Sequence, residues 1–377
     1  MGDKNEQERQ KNSRERVMRV QFNAVLKDVT RKGTKIQTDE YLTEGKFPII
    51  DQGNNDIAGY RDDETGLFTD VPAIVFGDHT RIVKYITEPF FLGADGVKVL
   101  VPIDRTMNCK YLYYQLLSAK IPDTGYNRHF KWVKELEFQL PSRNEQDDVA
   151  ERLDKLCVVI SARQQQLAKL DELVKARFVE MFGGINESVW YPYQTIESFT
   201  SVMSGGTPDR NIPEYWQGNI RWIKTTELKN CIITDTEEKI SQLGVENSSA
   251  KIIPANSILV AMYGQGKTRG MTGYITVECA TNQACACILP SEKINQKYLW
   301  KYIIFSYDKL RSMAKGGNQP NLNAGIIRKF PVLMPPMNLQ NRFAVFAEQV
   351  EKTKLFIQNS LKQMETLKKA LIQQYFG

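Results

Sequence analysis

The chain repeats itself. LPSRNEQ (Leu140–Gln146) and MPPMNLQ (Met334–Gln340) share the pattern apolar, Pro, x, x, Asn, x, Gln, 194 residues apart. Holding that offset aligns Ala150 with Ala344, Gln164 with Gln358, Leu167 with Leu361 and Lys175 with Lys369. It also brings the Phe-Gly at 182–183 onto the Phe-Gly at 376–377. From 138 to 183 there are 11 identities in 46 ungapped positions, and the unbroken register weighs more than the low identity. Fainter echoes lie upstream: PAIVFGD from Pro72 with NSILVAM from Asn256, YLYYQLL from Tyr111 with YLWKYII from Tyr298, and VTRKGTK from Val29 with VMSGGTP from Val202. The offset drifts between these anchors, so connecting segments differ in length while a framework is kept. Two copies of one module with loops for different targets would look like this.

Each copy of the pattern opens a long segment free of proline. In the first, Val149, Leu153, Leu156, Ile160, Arg163, Leu167, Leu170, Val174, Arg177 and Met181 step by four and three throughout. In the second, Phe343, Ala347, Val350, Lys354, Ile357, Leu361, Met364, Lys368, Leu371 and Tyr375 do the same. A stripe kept in 3.5 period over this length is a heptad seam. Both segments are therefore expected to be helices of nearly 40 residues, about 55 Å long at about 1.5 Å per residue. Neither can bury its stripe alone, and with a compact module between them an antiparallel pairing fits best. The charged positions Arg163, Arg177, Lys354 and Lys368 interrupt the seam, either setting its register or lying at its rim.

Composition narrows the class. The 377 residues are 42% hydrophobic and 25% charged, and no apolar run approaches the roughly 18 residues of a membrane span. Residues 1–17 are charged throughout and read as a disordered tail, not a secretory signal. The net charge of +6 permits an anionic partner without demanding one. Three of the six cysteines, Cys279, Cys285 and Cys287, lie in an apolar stretch, and neither histidine neighbours a cysteine. Buried reduced thiols in a cytoplasmic protein are expected, with no zinc site and no cofactor.

The modules themselves read as mixed α/β. Short β-rich runs such as PAIVFGD, VKVLVP, IRWIKT and GYITVE alternate with Gly, Pro and Asn clusters, and a short helix is expected late in each copy. The stretch SGGTPDRNIPEYWQGNIRWIKTTELKN (204–230) resembles the opening of a target recognition domain. Such domains belong to the specificity (S) subunit of type I restriction–modification systems, the HsdS family. KFPIIDQGNNDIAGY (46–60) resembles another form of that opening, and GGNQPNLN (316–323) with FPVLMPPMNLQ resembles the end. The first copy departs from the second, having only KGT at 32–34 for GGTP, and TGYNRHF where the second has GGNQPNLN.

The resemblance implies an α+β chain. Two mixed α/β target recognition domains are held apart by two long helices forming an antiparallel coiled coil, a pseudo-two-fold internal repeat. Its expected parts are a tail (1–17), recognition domain 1 (18–143), spacer helix 1 (144–183), recognition domain 2 (184–337) and spacer helix 2 (338–377). Such a subunit is non-catalytic. It reads a bipartite site on double-stranded DNA, one half per domain. It directs two adenine-N6 methyltransferase (M) subunits and, in the full complex, two motor–nuclease (R) subunits to that site, with no membrane involved.

Base reading needs Arg, Lys, Asn or Gln at base edges and basic or amide groups at phosphates. Candidate DNA contacts in the first copy are His79, Arg81, Lys84, Tyr126, Arg128, His129 and Lys131. In the second they are Arg210, Arg221, Lys224, Lys267, Arg269, Asn318, Gln319 and Asn321. The five tryptophans fit core positions better than stacking platforms. Two enzyme-like matches compete. Asp209, Glu227 and Lys229 form a loose PD…ExK pattern, the alternative of a stand-alone Mg-dependent nuclease. AMYGQGKT (261–268) nearly fits a phosphate-binding loop, but β-rich residues follow it, so it reads as a hairpin.

Overall fold

The computed structural model describes residues 18–264, 266–315 and 320–377; the tail expected at 1–17 lies outside them. The chain divides into two compact units, one of residues up to 164 with 359–377, the other of residues 165–358.

In the first unit the strands are β1 (Met18–Gln21), β2 (Leu26–Asp28), β3 (Phe47–Ile50), β4 (Gly59–Arg61), β5 (Ala73–Gly77), β6 (Val83–Ile86), β7 (Phe91–Leu92), β8 (Val97–Pro102) and β9 (Glu137–Leu140). They form a four-stranded sheet β2-β8-β5-β6, a three-stranded sheet β4-β3-β7 and the pair β1-β9. The second unit holds β10 (Tyr193–Thr195), β11 (Val202–Ser204), β12 (Ile220–Ile223), β13 (Cys231–Ile233), β14 (Glu238–Ile240), β15 (Ile258–Ala261), β16 (Thr272–Ile275), β17 (Ala280–Thr281), β18 (Cys285–Ile288) and β19 (Pro331–Leu333). Its sheets are β11-β18-β15-β16-β13, β14-β12-β17 and β10-β19. Apart from the added edge strand β13, the two units have the same strand order. The single parallel pairing inside each small sheet also matches, β3 with β7 and β12 with β17. The duplication written in the sequence is therefore a duplication of topology.

Two further helices keep the offset of 187 residue for residue: α1 (Cys109–Ser118) and, in the second unit, α3 (Gln296–Phe305). The long helices are α2 (Arg143–Phe182) and α5 (Met337–Phe376), 40 residues each; a short helix, α4 (Tyr307–Ser312), follows α3. They start differently. Ser142 and Glu145 cap α2 reciprocally, the Ser142 N–H and hydroxyl donating to Glu145 Oε2 at 3.0 and 2.7 Å. Two prolines, Pro335 and Pro336, lead into α5. Gly183 ends α2 with φ of +83°, the left-handed conformation that suits glycine.

All twenty heptad positions are buried or half-buried. Within the first unit the start of α2 meets the end of α5, where Arg152 donates to the Tyr375 hydroxyl at 3.4 Å. Within the second, the end of α2 meets the start of α5. Phe178 and Phe182 pack edge-on against Phe343 at 5.4 and 5.7 Å, and Lys354 binds Asp171 at 2.6 Å. Both pairings run antiparallel. Lys354, one of the residues that break the seam, also lies 3.6 Å from Glu351, which binds the buried Lys301 of α3 at 2.5 Å. Asp171, Lys354, Glu351 and Lys301 thus tie three helices, a geometry that only one register satisfies.

The repeated Gln explains the repeated motif. Asn108 caps α1, its side chain accepting from the N–H groups of Lys110 and Tyr111. Its own N–H donates to Gln146 Oε1 at 2.9 Å, while Gln146 Nε2 donates to the Pro141 carbonyl at 2.9 Å. The second unit repeats every bond. Asn295 caps α3, its N–H donates to Gln340 Oε1 at 2.9 Å, and Gln340 Nε2 donates to the Pro335 carbonyl at 2.8 Å. A charged pair braces each latch, Lys110 with Asp154 and Lys297 with Glu348. Pro and Gln at this spacing therefore fasten the root of each long helix to the short helix of its own module.

The cores are mainly apolar. Cys279, Cys285 and Cys287 are fully buried, and burial pushes the first two thiols to about 12. Trp222 and Trp300 are core residues as expected, whereas Trp190 stands 60% exposed. Among the described residues no helix is long and apolar enough to cross a membrane. Because Gln340 is only 2% exposed, Gln340→Ala strands a donor and an acceptor inside the protein. It should cost about 1–3 kcal/mol, read by denaturant unfolding of the full chain, while Asn338→Ala, at the neighbouring, exposed repeated position outside the latch, should cost much less.

Candidate nucleic-acid interface

In the first unit the candidates sit on two loops that the fold brings together. The loop after β5 carries His79 and the segment before residue 130 carries Tyr126 and Arg128. His79 and Tyr126 stack, ring centroids 4.7 Å apart and planes 11° from parallel, and Tyr126 is 86% exposed. His79 Nδ1 lies 3.2 Å from the Asn127 carbonyl. Gln52, which the sequence did not single out, ties the His79 loop to the segment before β8. Its Oε1 accepts from the His79 N–H at 3.1 Å and its Nε2 donates to the Asp95 carbonyl at 3.1 Å. Arg128 and Lys131 are exposed, and neither has a carboxylate in salt-bridge range among the described residues.

Three candidates in this unit face inward instead. His129 is fully buried, with Nδ1 2.9 Å from the Asp78 carbonyl and Nε2 3.4 Å from the Thr124 hydroxyl. Lys84 is 7% exposed and donates to the Asn55 carbonyl at 2.6 Å. Arg81, with φ of +62°, donates to Asp123 at 2.6 Å; the Gly125 N–H and then Arg81 hold the Asp123 carboxyl below its usual range. These three shape the loops. A basic residue in a Gly- and Asp-rich loop gives no sequence sign of whether it turns in or out.

The second unit separates its candidates into two groups. Arg210, before β12, and Arg221 and Lys224, in and just after β12, converge on one acidic edge around β14. Arg210 binds Glu238 at 2.7 Å and lies over the Trp216 ring at 3.8 Å. Arg221 binds Asp235 at 3.1 Å, and Lys224 binds Glu237 at 2.8 Å and Glu238 at 3.2 Å. Although burial opposes it, Arg210 and Lys224 keep the Glu238 carboxyl below its usual range, and Glu237 first, then Glu238, raises the Lys224 ammonium. This edge is close to charge-neutral and offers little to a phosphate backbone.

The other group surrounds the turn between β15 and β16. Lys267 is exposed and has no acidic partner among the described residues. Arg269 turns back, its guanidinium donating to the Pro320 carbonyl. Asn321 pairs with Lys315 through both backbone bonds, 2.9 and 3.0 Å, which sets Lys315, another residue the sequence did not single out, beside the turn. Asn318 and Gln319 lie outside the described residues.

The enzyme-like matches dissolve on inspection. Strand β16, not a helix, follows AMYGQGKT, so no helix N-terminus faces a phosphate there. Asp209 caps a local turn through Asn211, and Glu227 accepts from the N–H groups of Lys224 and Glu237. Both carboxylates serve the backbone. Among the described residues no group of three or more His, Cys, Asp or Glu has metal-holding geometry.

A family model, "Type I restriction modification DNA specificity domain", matches residues 23–172 and again 191–366. The chain belongs to that family. A specificity subunit of the type I restriction enzyme EcoR124I/EcoR124II of Escherichia coli is 25% identical over 344 residues, 84% of this chain and 83% of that one. The MjaIX specificity subunit of Methanocaldococcus jannaschii is 27% identical over 188 residues, 47% of this chain and 41% of that one. Among solved structures, the S subunit of a type I restriction–modification system from M. genitalium superposes with a TM-score of 0.61 at 15% identity, covering 95% of this chain and 96% of the other. A structure titled for complex assembly and conformational transition of the type I R-M system gives 0.54 at 13%, covering 95% and 97%. The protein is a non-catalytic DNA-specificity subunit that reads a two-part site, one part per specificity domain.

Charge pairing sorts the candidates. Arg128→Ala and Lys131→Ala should each lower the slope of log affinity against log salt by about 0.9, one phosphate contact apiece. Arg221→Ala, whose charge Asp235 already neutralises, should leave both slope and affinity nearly unchanged. Salt titration of duplex binding distinguishes the two behaviours.

Proposed function

We propose that Tyr126, Arg128 and Lys131, with His79 behind Tyr126, contact one half-site, and that Lys267, Lys315 and Asn321 contact the other. The observation that carries this choice is that, among the described residues, Arg128, Lys131 and Lys267 have no carboxylate in salt-bridge range, set against the internal pairing of Arg81, Lys84, Arg210, Arg221 and Lys224. Tyr126, flat on His79 and open to solvent, suits stacking against a base or sugar. On this reading the recognition domains span 18–143 and 184–337, and 144–183 and 338–377 are the spacer helices.

The partners belong to the same proposal. A specificity subunit without chemistry of its own needs methyltransferase subunits, which flip an adenine out of the duplex to methylate it. Two copies of M fit the duplicated chain. At the joint of α1 and α2 the first unit has a groove of about 510 Å³ lined by Tyr85, Asn108, Lys110, Ala150 and Asp154. At the joint of α3 and α5 the second has one of about 420 Å³ lined by Tyr274, Asn295, Lys297, Ala344 and Glu348. These residues correspond one to one along the repeat, so one kind of partner could dock twice. A cytoplasmic location follows from acting on chromosomal DNA alongside such partners.

Selection of bound duplexes from a randomised pool tests the reading. A consensus of two short specified blocks with an unspecified gap of fixed length is expected, and loss of one block's specification on Tyr126→Ala. A contiguous consensus would contradict it. Purified chain with Mg²⁺ and no partner should leave DNA uncut; cutting that is lost on Glu227→Gln would revive the nuclease alternative.

A further inference from the structure

The turn that carries Lys267 is poorly suited to hold a shape by itself. Gly264, Gly266 and Gly270 have φ of +138°, +58° and +88°, conformations that glycine visits freely and other residues rarely. A loop of this composition loses much conformational freedom when a ligand orders it, and that loss subtracts from affinity. Yet two side chains of α4, four residues apart and so on one helix face, grip the turn from behind. The Tyr307 hydroxyl donates to the Lys267 carbonyl at 2.7 Å. Arg311 Nη1 donates to the Arg269 carbonyl at 2.7 Å and to the Tyr307 hydroxyl at 2.9 Å. The guanidinium also lies 5.1 Å from the Tyr307 ring centroid. A Cβ on Gly270 would meet both side chains at 3.2–3.4 Å, so the turn lies directly against them. Arg311 spends its charge on two neutral acceptors of the turn and ring, with no carboxylate in salt-bridge range among the described residues.

We infer that Tyr307 and Arg311 are positioning residues that hold the Gly266–Gly270 turn in its DNA-binding shape before DNA arrives, without touching DNA themselves. The inference rests on the proposed phosphate contact by Lys267. It makes the α4 face a determinant of affinity at a site some way along the chain, and it assigns the Arg311 charge to the backbone of the turn, not to the duplex.

A double-mutant cycle on the full chain, with a short random-sequence duplex as probe, tests this. Lys267→Ala should reduce affinity and lower the salt slope by about 0.9. Tyr307→Phe removes one hydroxyl and should reduce affinity about three- to tenfold with the slope unchanged. In the Lys267→Ala background, Tyr307→Phe should add nothing, because the group it positions is gone; a merely structural loss would add in full. Hydrogen exchange of the amides at 266–270 in free protein should quicken in Tyr307→Phe and in Arg311→Ala while the rest of the unit is unchanged. If Lys267→Ala has no effect, the contact reading fails. If Lys267→Ala acts but Tyr307→Phe is additive with it, or leaves the exchange of the turn unaltered, the positioning inference alone is overturned.

Discussion

A forty-residue helix with an apolar stripe along one side has to find a partner, because exposing the stripe to water costs more than any local bond returns. This chain makes two such helices and pairs the start of each with the end of the other. Everything else is arranged around that pairing. The modules attach at the helix roots through Gln146 and Gln340, each a side chain that satisfies one donor and one acceptor at once. Since those amides are nearly sealed from water, a wrong angle between short and long helix would leave polar groups unsatisfied. Orientation of each module on its helix is thus specified by hydrogen bonding, and the register of the seam in the second unit by the Asp171–Lys354–Glu351–Lys301 chain of charges.

The seam is not symmetric, although the repeat is. At the first unit's equivalent of Lys301 stands Tyr114, whose hydroxyl donates to Asp154 at 2.6 Å, and the equivalents of Glu351 and Lys354 are Cys157 and Ile160. In the second unit Lys354 and Glu351 are largely covered while Asp171 stays exposed, so this chain of charges adds more to register than to stability.

Much of this was legible in the sequence because it is periodic. Heptad spacing marked both long helices and a stripe of buried or half-buried positions, though not Ala150, Phe178, Phe182 or Ala344, which are also buried; the shared Pro and Gln marked the roots; the offset of 187 located α1 and α3 residue by residue. Topology followed from repetition, since two modules with common anchors are bound to share a strand order. Individual contacts were less legible. Arg81, Lys84 and His129 sit in or beside loops whose composition matches a binding loop, yet each turns inward to a carbonyl or carboxylate many residues away. Likewise Arg210, Arg221 and Lys224 read as candidate contacts until Asp235, Glu237 and Glu238 fold against them. Charge in a sequence is one-dimensional, whereas neutralisation depends on which strand lies next door. Tyr307 and Arg311 escaped notice for the converse reason: they act on backbone carbonyls, and no residue type announces that role.

Recognition is divided between two like modules, each fixed to its own helix root and reading independently of the other. The most direct measurement is the consensus selected by a chain in which a second copy of the first module replaces the second module, all helix residues being kept. One native block is expected on both sides of the gap. A selected site that keeps both native blocks, or that shares neither with the parent, would contradict it.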